Sequence, residues 1–177
     1  LNKEFLGKSM TPRPLLTRIG INTGDMVVGN MGTERKMDYT IMGNAVNLAA
    51  RLEGVNKQYS TWILMSEDTY KKTGDIFTVR KLDRVRVVGI ETPVRLYNLL
   101  AEKERTGDDV RSSLELFHEG LEEFENRNWE KAEALFIEST KVVPEEGPAV
   151  KYLTRIKEYK ENEPAADWDG VYSLTEK

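Results

Sequence analysis

The sequence contains no cysteine. This absence excludes disulfide bonds and thiolate metal sites, and it fits a reducing compartment. Histidine is almost missing as well, since the sequence has a single copy, His118. This residue lies among glutamates in a predicted surface helix. We therefore expect neither histidine-based catalysis nor a zinc site built from several histidines.

Long apolar runs and an excess of positive charge are also missing. Stretches such as Trp62-Ile-Leu-Met65 are too short to cross a bilayer, and the sequence opens without a charged-then-apolar signal. The net charge of -4 argues against nucleic acid as a main partner. We expect a cytoplasmic segment without membrane contact of its own, with an upstream sensor or a membrane domain outside it as an open alternative.

What is present suits one domain with a helical extension, since 39% of the 177 residues are hydrophobic. Alternating and β-branched stretches predict strands over residues 15–23, 26–30, 37–42, 61–65, 77–82, 84–88 and 94–100. Helical patterns lie over 1–10, 44–53 and 66–72. This mix predicts an α+β fold, a sheet with helices on one face.

The stretch from Asp38 to Glu53 is the most informative. It predicts a strand, a turn at Gly43 and a helix whose apolar stripe consists of Ala45, Leu48, Ala49 and Leu52. Asn47 and Arg51 stand four residues apart on a different face of that helix. One face can therefore pack while the other meets a ligand.

The second face suits a phosphate site. Arg51 offers a planar fork of donors, Asn47 both donates and accepts, and Gly43 allows close approach of a ligand. The alternative is a solvated helix face, because such pairs are common on exposed helices.

The pattern changes after Ala101. We predict a charged linker over 102–112, a helical extension over 113–160, and a tail over 161–177 that docks through Trp168. Within the extension, the Trp-x2-Ala-x3-Phe-x7-Pro pattern of residues 129–144 resembles half of a tetratricopeptide repeat. The tryptophans are predicted as packing anchors, and most methionines as core residues. The methionines meant are Met26, Met31, Met37, Met42 and Met65.

Four ordered motifs carry a family resemblance. They are Arg18-Ile-Gly-Ile-Asn-Thr-Gly24, Val28-Gly-Asn-Met-Gly32, Asp38-Tyr-Thr-Ile-Met-Gly43 and Val46-Asn-Leu-Ala-Ala-Arg-Leu-Glu53. Together they resemble the second half of a class III adenylate/guanylate cyclase catalytic domain, and residues 129–132 and 167–171 resemble the extension of some bacterial adenylate cyclases. The resemblance implies a ferredoxin-like cyclase sheet within residues 1–101, with an apparent gap in the family pattern near residues 10–11.

The resemblance implies a signalling enzyme that converts ATP to cyclic AMP and pyrophosphate. Two ions, Mg²⁺ or Mn²⁺, are the expected cofactors, and the active site is expected between two catalytic domains, hence in a homodimer. Asn47 would orient the ribose, Arg51 would stabilise charge at the α-phosphate, and Thr40 would read the adenine beside Gly43.

The departures from the family pattern matter equally. The segments that carry the family's two metal-binding aspartates are not found, and Val87-Val-Gly-Ile-Glu91 stands where many members have Lys-Gly-Lys. Asp25 and Asp38 are predicted as a turn residue and a strand-end residue, so we assign no metal ligand. The alternative function is therefore a non-catalytic, cyclase-like interaction or regulatory module.

Overall fold

The computed structural model describes residues 2–8, 10, 12–86, 92–144 and 147–173. The strands are β1 (Ile19–Ile21), β2 (Val27–Thr33), β3 (Lys36–Met42), β4 (Ile63–Ser66), β5 (Phe77–Arg86), β6 (Val94–Glu102) and β7 (Tyr172–Ser173). The helices are α1 (Asn2–Gly7), α2 (Asn44–Tyr59), α3 (Glu67–Thr73), α4 (Asp108–Glu125), α5 (Trp129–Val142) and α6 (Gly147–Glu161). A 3-10 turn covers Lys103–Arg105.

Five strands form one mixed sheet in the order β1-β4-β6-β5-β7. The β1–β4 and β5–β7 pairs are parallel, whereas β4–β6 and β5–β6 are antiparallel. The strands β2 and β3 form a separate antiparallel hairpin in which Val27 lies opposite Met42. The predicted α+β fold is confirmed.

One hydrophobic core joins the sheet to both groups of helices. Leu64, Leu82, Val85 and Leu96 of the sheet are completely buried, in the same cluster as residues of α2 and of the helical extension. The extension therefore packs on the sheet. The other fully buried members are Leu52, Tyr59, Phe117, Ala132, Phe136, Ala149, Tyr152 and Ile156.

Helix α2 is longer than predicted. The prediction ended it at Glu53 and treated 54–60 as a connector, because glycine at position 54 weakens a helix. The structure continues the helix to Tyr59, and Ser60 ends it in the left-handed conformation with φ 53°. Val55, Asn56 and Tyr59 are buried, so tertiary packing outweighs the local cost of the glycine.

The predicted strands 77–82 and 84–88 are also corrected. Phe77–Arg86 is a single strand whose pairing with β6 shifts register between Lys81 and Arg84. Asp83, which the prediction left between two strands, is buried inside this one. Residues 102–112, predicted as a linker, contain the end of β6, the 3-10 turn and the first residues of α4.

The methionine prediction is wrong at three positions. Met26, Met37 and Met42 are half or more exposed in or beside the hairpin, and only Met65 is fully buried. Trp129 is buried as predicted, but Trp62 is 46% exposed. Trp168 is partly buried, and its ring lies 5.8 Å from those of Phe124 and Trp129. The three helices of the extension are present, and their likeness to a tetratricopeptide repeat stays a prediction.

We predict that Gly20→Ala destabilises the fold, because β1 lies directly against α2. A Cβ at Gly20 would meet the carbonyl oxygen of Ala49 at 2.2 Å and the backbone nitrogen of Glu53 at 2.4 Å. Such overpacking against backbone costs about 1–3 kcal/mol or more. Urea unfolding should show this loss.

The matched control for this test is Gly54→Ala, in the interior of α2. A Cβ at Gly54 meets nothing within 4 Å, so alanine should stabilise the helix by up to about 1 kcal/mol. Equal unfolding free energies for wild type and Gly20→Ala would contradict the close packing of β1 on α2.

Candidate functional site

The site predicted from sequence is built on the strand β3, the turn at Gly43 and the start of α2. Gly43 has φ 149°, and a Cβ there would lie 3.2 Å from the carbonyl oxygen of Asp25. The backbone nitrogens of Val46 and Asn47 both donate to the Gly43 carbonyl oxygen at 3.1 Å. Glycine is therefore required for the tight passage from strand to helix.

Asn47 and Arg51 occupy one face of α2, as predicted. Asn47 is exposed and Arg51 is partly buried, whereas Leu52, toward the core, has no exposed surface. Within the described part of the chain, neither side chain makes a hydrogen bond or an ion pair. An amide and a guanidinium thus remain available to a ligand one helical turn apart.

Polar contacts hold α2 to the sheet on both sides of this pair. The Asn22 Nδ2 atom donates to the Ala45 carbonyl oxygen at 3.0 Å, and the Ser66 hydroxyl donates to Asn22 Oδ1 at 2.5 Å. Further along the helix, the buried Asn56 donates from Nδ2 to the Ile19 carbonyl oxygen at 3.0 Å. These bonds fix the helix that carries Asn47 and Arg51.

Thr40 lies in β3, opposite Gly29 in the hairpin, and its side chain is exposed. The structure places it three residues before Gly43, so Thr40, Gly43, Asn47 and Arg51 form one continuous strand-turn-helix unit. The hairpin and its approach also carry many exposed apolar side chains, which we call the hairpin surface. Its residues are Met26, Val27, Val28, Met37, Tyr39, Ile41 and Met42.

The described residues do not fit a two-metal site. Asp25 lies exposed in the loop before β2, and Asp38 lies exposed within β3, opposite Met31. In the ranges that the structure covers, no three acidic or histidine side chains are grouped so that they could hold a metal ion. The segment Val87–Glu91, in place of the expected Lys-Gly-Lys, lies outside the described residues.

The known family pattern "Adenylate and Guanylate cyclase catalytic domain" matches residues 3–101, more than half of the chain. The chain belongs to this family. The predicted family is thereby confirmed, and the strand-turn-helix unit with Asn47 and Arg51 falls inside the matched cyclase region.

The relatives of this cyclase domain include the terminal-differentiation specific adenylate cyclase of Dictyostelium discoideum, 33% identical over 78% of this chain and 7% of that protein. Adenylate cyclase 1 of Rhizobium meliloti is 39% identical over 48% of this chain and 13% of that protein. The chain thus spans less than a fifth of these curated relatives. Because the first alignment covers more of the chain than the family match does, it runs into the helical extension.

Solved cyclase structures are similar to part of the chain. The adenylyl cyclase CyaB from P. aeruginosa matches with a TM-score of 0.48 and 34% identity, over 59% of this chain and 53% of that one. The guanylyl cyclase Cya2 matches with a TM-score of 0.48 and 33% identity, over 60% and 52%. Among the helices of the described ranges, none is long and apolar enough to span a membrane.

His118 of this cyclase chain has a structural contact that the sequence did not indicate. The predicted surface position is wrong, because His118 is partly buried and its Nε2 atom accepts a hydrogen bond from the Lys81 backbone nitrogen at 3.0 Å. Burial, and then the charges of Arg80 and Lys81, lower the pKa of His118 to about 4. The ring is therefore neutral at pH 7, as its acceptor role requires.

Sequence reasoning missed a buried cluster that contains two charged side chains. Tyr59, Asp83 and Arg155 have 0%, 3% and 2% of their surface exposed and bind one another. The sequence gives little signal for it, because Asp83 stands among charged residues of a strand that reads Arg80-Lys-Leu-Asp-Arg-Val-Arg86. The partners of Asp83 lie 24 and 72 positions away in the sequence, so no local pattern could identify them.

We predict that His118 makes the stability of the fold depend on pH. The unfolded ring gains a proton as the pH falls through about 6.5, whereas the folded ring stays neutral until about 4. Stability from this group is therefore complete above pH 6.5 and is lost as the pH falls toward 4. With partial solvent screening, the loss between pH 7 and pH 5 is about 1–2 kcal/mol.

The measurement is urea unfolding of wild type and His118→Gln at pH 7 and pH 5. Glutamine keeps an acceptor for the Lys81 backbone nitrogen but does not titrate. The difference in unfolding free energy between the two pH values should be smaller in His118→Gln. An identical pH dependence in both proteins would show that His118 is not held neutral.

Proposed function

We propose that this chain contributes the substrate-binding half of an adenylate cyclase active site, which converts ATP to 3',5'-cyclic AMP and pyrophosphate. The observation that carries the proposal is the placement of Asn47 and Arg51. Both stand on the ligand-accessible face of α2, inside the family match, without partners among the described residues. A guanidinium beside an amide is suited to a nucleotide phosphate and ribose.

Each residue has a chemical role in this proposal. Arg51 donates to oxygens of the α-phosphate, where negative charge develops as the ribose 3'-oxygen attacks, and such stabilisation can be worth a few kcal/mol of barrier. Asn47 orients the ribose so that this oxygen lies in line with the leaving group. Thr40 accepts a hydrogen bond from the adenine amino group, and the missing side chain of Gly43 leaves room for the nucleotide.

We assign the expected Mg²⁺ or Mn²⁺ ions no ligands among the described residues. The described residues provide no cluster of carboxylates for them, and we derive no step through a metal here. In the proposed enzyme the metal-binding carboxylates come from residues outside the described ranges, and Asn47 and Arg51 act on the other side of the nucleotide.

The proposed assembly is a homodimer. The hairpin surface, defined above, contains seven exposed apolar side chains, Met26 and six on β2 and β3. In the described part of the chain these two strands pair with each other and with no other strand. Contiguous exposed apolar patches commonly mark interaction surfaces. A second copy that covers this surface would also place residues of its own beside α2, in line with an active site formed between two catalytic domains.

A non-catalytic interaction module is the second candidate function. The lack of a carboxylate cluster among the described residues favours it, because in-line displacement at phosphorus normally needs cations to neutralise charge. Such a module would bind a partner through the hairpin surface and would not turn over ATP. The two candidates differ in their dependence on Arg51.

We predict that Arg51→Ala and Asn47→Ala each reduce cyclic AMP formation about 100-fold or more, since each removes a donor to the reacting nucleotide. The assay uses ATP with Mg²⁺ or Mn²⁺ over a range of protein concentrations, with the 177-residue chain and with a form that carries its native upstream sequence. A dimeric enzyme should gain activity more steeply than linearly with concentration.

The matched control is Lys57→Ala, an exposed cation on the same helix. It should leave both turnover and circular dichroism unchanged. The cyclase proposal is overturned if neither form makes cyclic AMP or binds ATP, and the interaction module then stands. Unchanged turnover in Arg51→Ala would remove Arg51 from the mechanism.

We predict that Thr40→Val lowers the preference for ATP over GTP about tenfold, because valine keeps the shape of threonine and loses the hydroxyl that would accept from adenine. The ratio of kcat/KM for the two nucleotides measures the effect. Thr33→Val, at the far end of the hairpin, is the control and should keep the wild-type ratio. An unchanged ratio in Thr40→Val would contradict base reading by Thr40.

A further inference from the structure

The helical extension, which lies outside the family match of residues 3–101, reaches the last residue of the helix that carries Asn47 and Arg51. Helix α6 begins at Gly147, where a Cβ would lie 2.7 Å from the Tyr59 carbonyl oxygen and 2.4 Å from the Ser60 Cβ. The start of α6 is therefore packed tightly on the end of α2.

A buried polar cluster joins these two helices to the sheet. We call Tyr59, Asp83 and Arg155 the buried cluster. The Tyr59 hydroxyl donates to Asp83 Oδ2, and Arg155 donates to the same carboxylate oxygen at 2.5 Å and to the Tyr59 hydroxyl at 2.7 Å. The other carboxylate oxygen accepts from the Arg84 backbone nitrogen at 2.7 Å.

The residues of the buried cluster come from three different elements: α2, β5 and α6. Burial, followed by the Asp83 charge, raises the pKa of Tyr59 well above its usual value, so its hydroxyl remains protonated and can donate. Each member bonds to the other two, so removing any one of them leaves a buried polar group without a partner. Docking of α6 and the position of the last turn of α2 therefore depend on the same hydrogen bonds.

Residues near the end of the described chain pack against the buried cluster. The Arg155 guanidinium lies 3.7 Å from the centre of the Tyr172 ring. Tyr172 belongs to β7, which pairs with β5 at Val85, and Arg86 of β5 is ion-paired with Asp169 at 2.6 Å. Residues from the end of the described chain therefore cover the guanidinium that holds α2.

The extension adds a contact at the last residue of α2. The sheet holds the helix near its start through Asn22 and the Ala45 carbonyl oxygen, and near its end through Asn56 and the Ile19 carbonyl oxygen. The extension bonds to Tyr59 through Arg155, eight residues or about 12 Å along the helix from Arg51. A change at Tyr59 can therefore alter how α2 presents Arg51 and Asn47.

We propose that the buried cluster couples docking of the helical extension to the position of α2, with Arg155 and Tyr59 as positioning residues for Asn47 and Arg51. Its effect on catalysis rests on the proposed cyclase function, whereas the coupling itself does not. The extension is then a support for the site helix, through which a change at the tail can alter turnover.

The test compares two buried tyrosines that each lose one hydroxyl. Tyr59→Phe removes the bonds of α2 to Asp83 and Arg155. Tyr152→Phe, the comparison variant, removes a bond from α6 to the Leu82 carbonyl oxygen, 2.8 Å long, and an interaction with Asp83, but it leaves both hydrogen bonds of Tyr59 in place. Hydrogen exchange is measured in residues 44–59, with α5 as the internal reference because it contributes no residue to the buried cluster.

We expect Tyr59→Phe to speed exchange in the last turns of α2 about fivefold or more, the effect of one lost buried hydrogen bond. Tyr152→Phe should leave α2 within about twofold of wild type. The coupling is overturned if α2 is unchanged in Tyr59→Phe. It is equally overturned if α5 accelerates as much as α2, which would show general destabilisation.

Arg155→Lys and Arg155→Met extend the test to the cation. Lysine keeps the charge beside Asp83, so the exchange rate of α2 in Arg155→Lys should lie between those of wild type and Arg155→Met. The control is Lys157→Met on the exposed side of α6, which should match wild type. If Arg155→Met does not fold, the comparison of Tyr59→Phe with Tyr152→Phe still tests whether the buried cluster positions α2. Identical exchange rates of α2 in Arg155→Lys and Arg155→Met would show that the charge at position 155 does not contribute to the coupling.

Turnover separates a positioning role from a purely structural one. In the cyclase-active form, Tyr59→Phe should lower kcat about tenfold while KM for ATP changes less than twofold, because misplaced groups act mainly in the transition state. A wild type without cyclase activity would overturn the proposed function and leave the exchange result standing. An unchanged kcat alongside faster exchange would overturn the positioning role.

Discussion

The structure depends on satisfying one buried carboxylate, that of Asp83. A charge that is almost completely removed from water is tolerated only when hydrogen bonds and an opposite charge replace the solvent. Tyr59 and Arg155 supply these partners from α2 and α6. The sheet, α2 and the extension must therefore assemble together. Leu82 and Tyr152 belong to the same hydrophobic core as Tyr59.

A second constraint is steric and acts earlier along α2. Gly20 brings β1 so close to the helix that any side chain would strike backbone atoms of Ala49 and Glu53. Asn56 completes this contact by donating to the Ile19 carbonyl oxygen. The helix is thus packed against the sheet along the face that bears Leu52, and the face with Asn47 and Arg51 is left to solvent and ligand.

The two surfaces that remain available point to assembly with further groups. The hairpin surface is apolar and exposed, and consecutive pairs such as Val27 with Met42 and Val28 with Ile41 place apolar side chains on both faces of the hairpin. Asn47 and Arg51 have donors available but no carboxylate cluster beside them among the described residues. An active centre of the cyclase type would accordingly need a second protein surface, which is the physical basis of the proposed homodimer.

The sequence by itself determined the family, the α+β class and the strand-turn-helix unit with Asn47 and Arg51, because short motifs and helical periodicity are local. Only the tertiary structure decided that α2 continues past Gly54, that β5 is one strand through Asp83, and that Met26, Met37 and Met42 are exposed. The physical reason is that burial depends on distant contacts. Tyr59 and Arg155 stand 96 positions apart and still share one hydrogen bond.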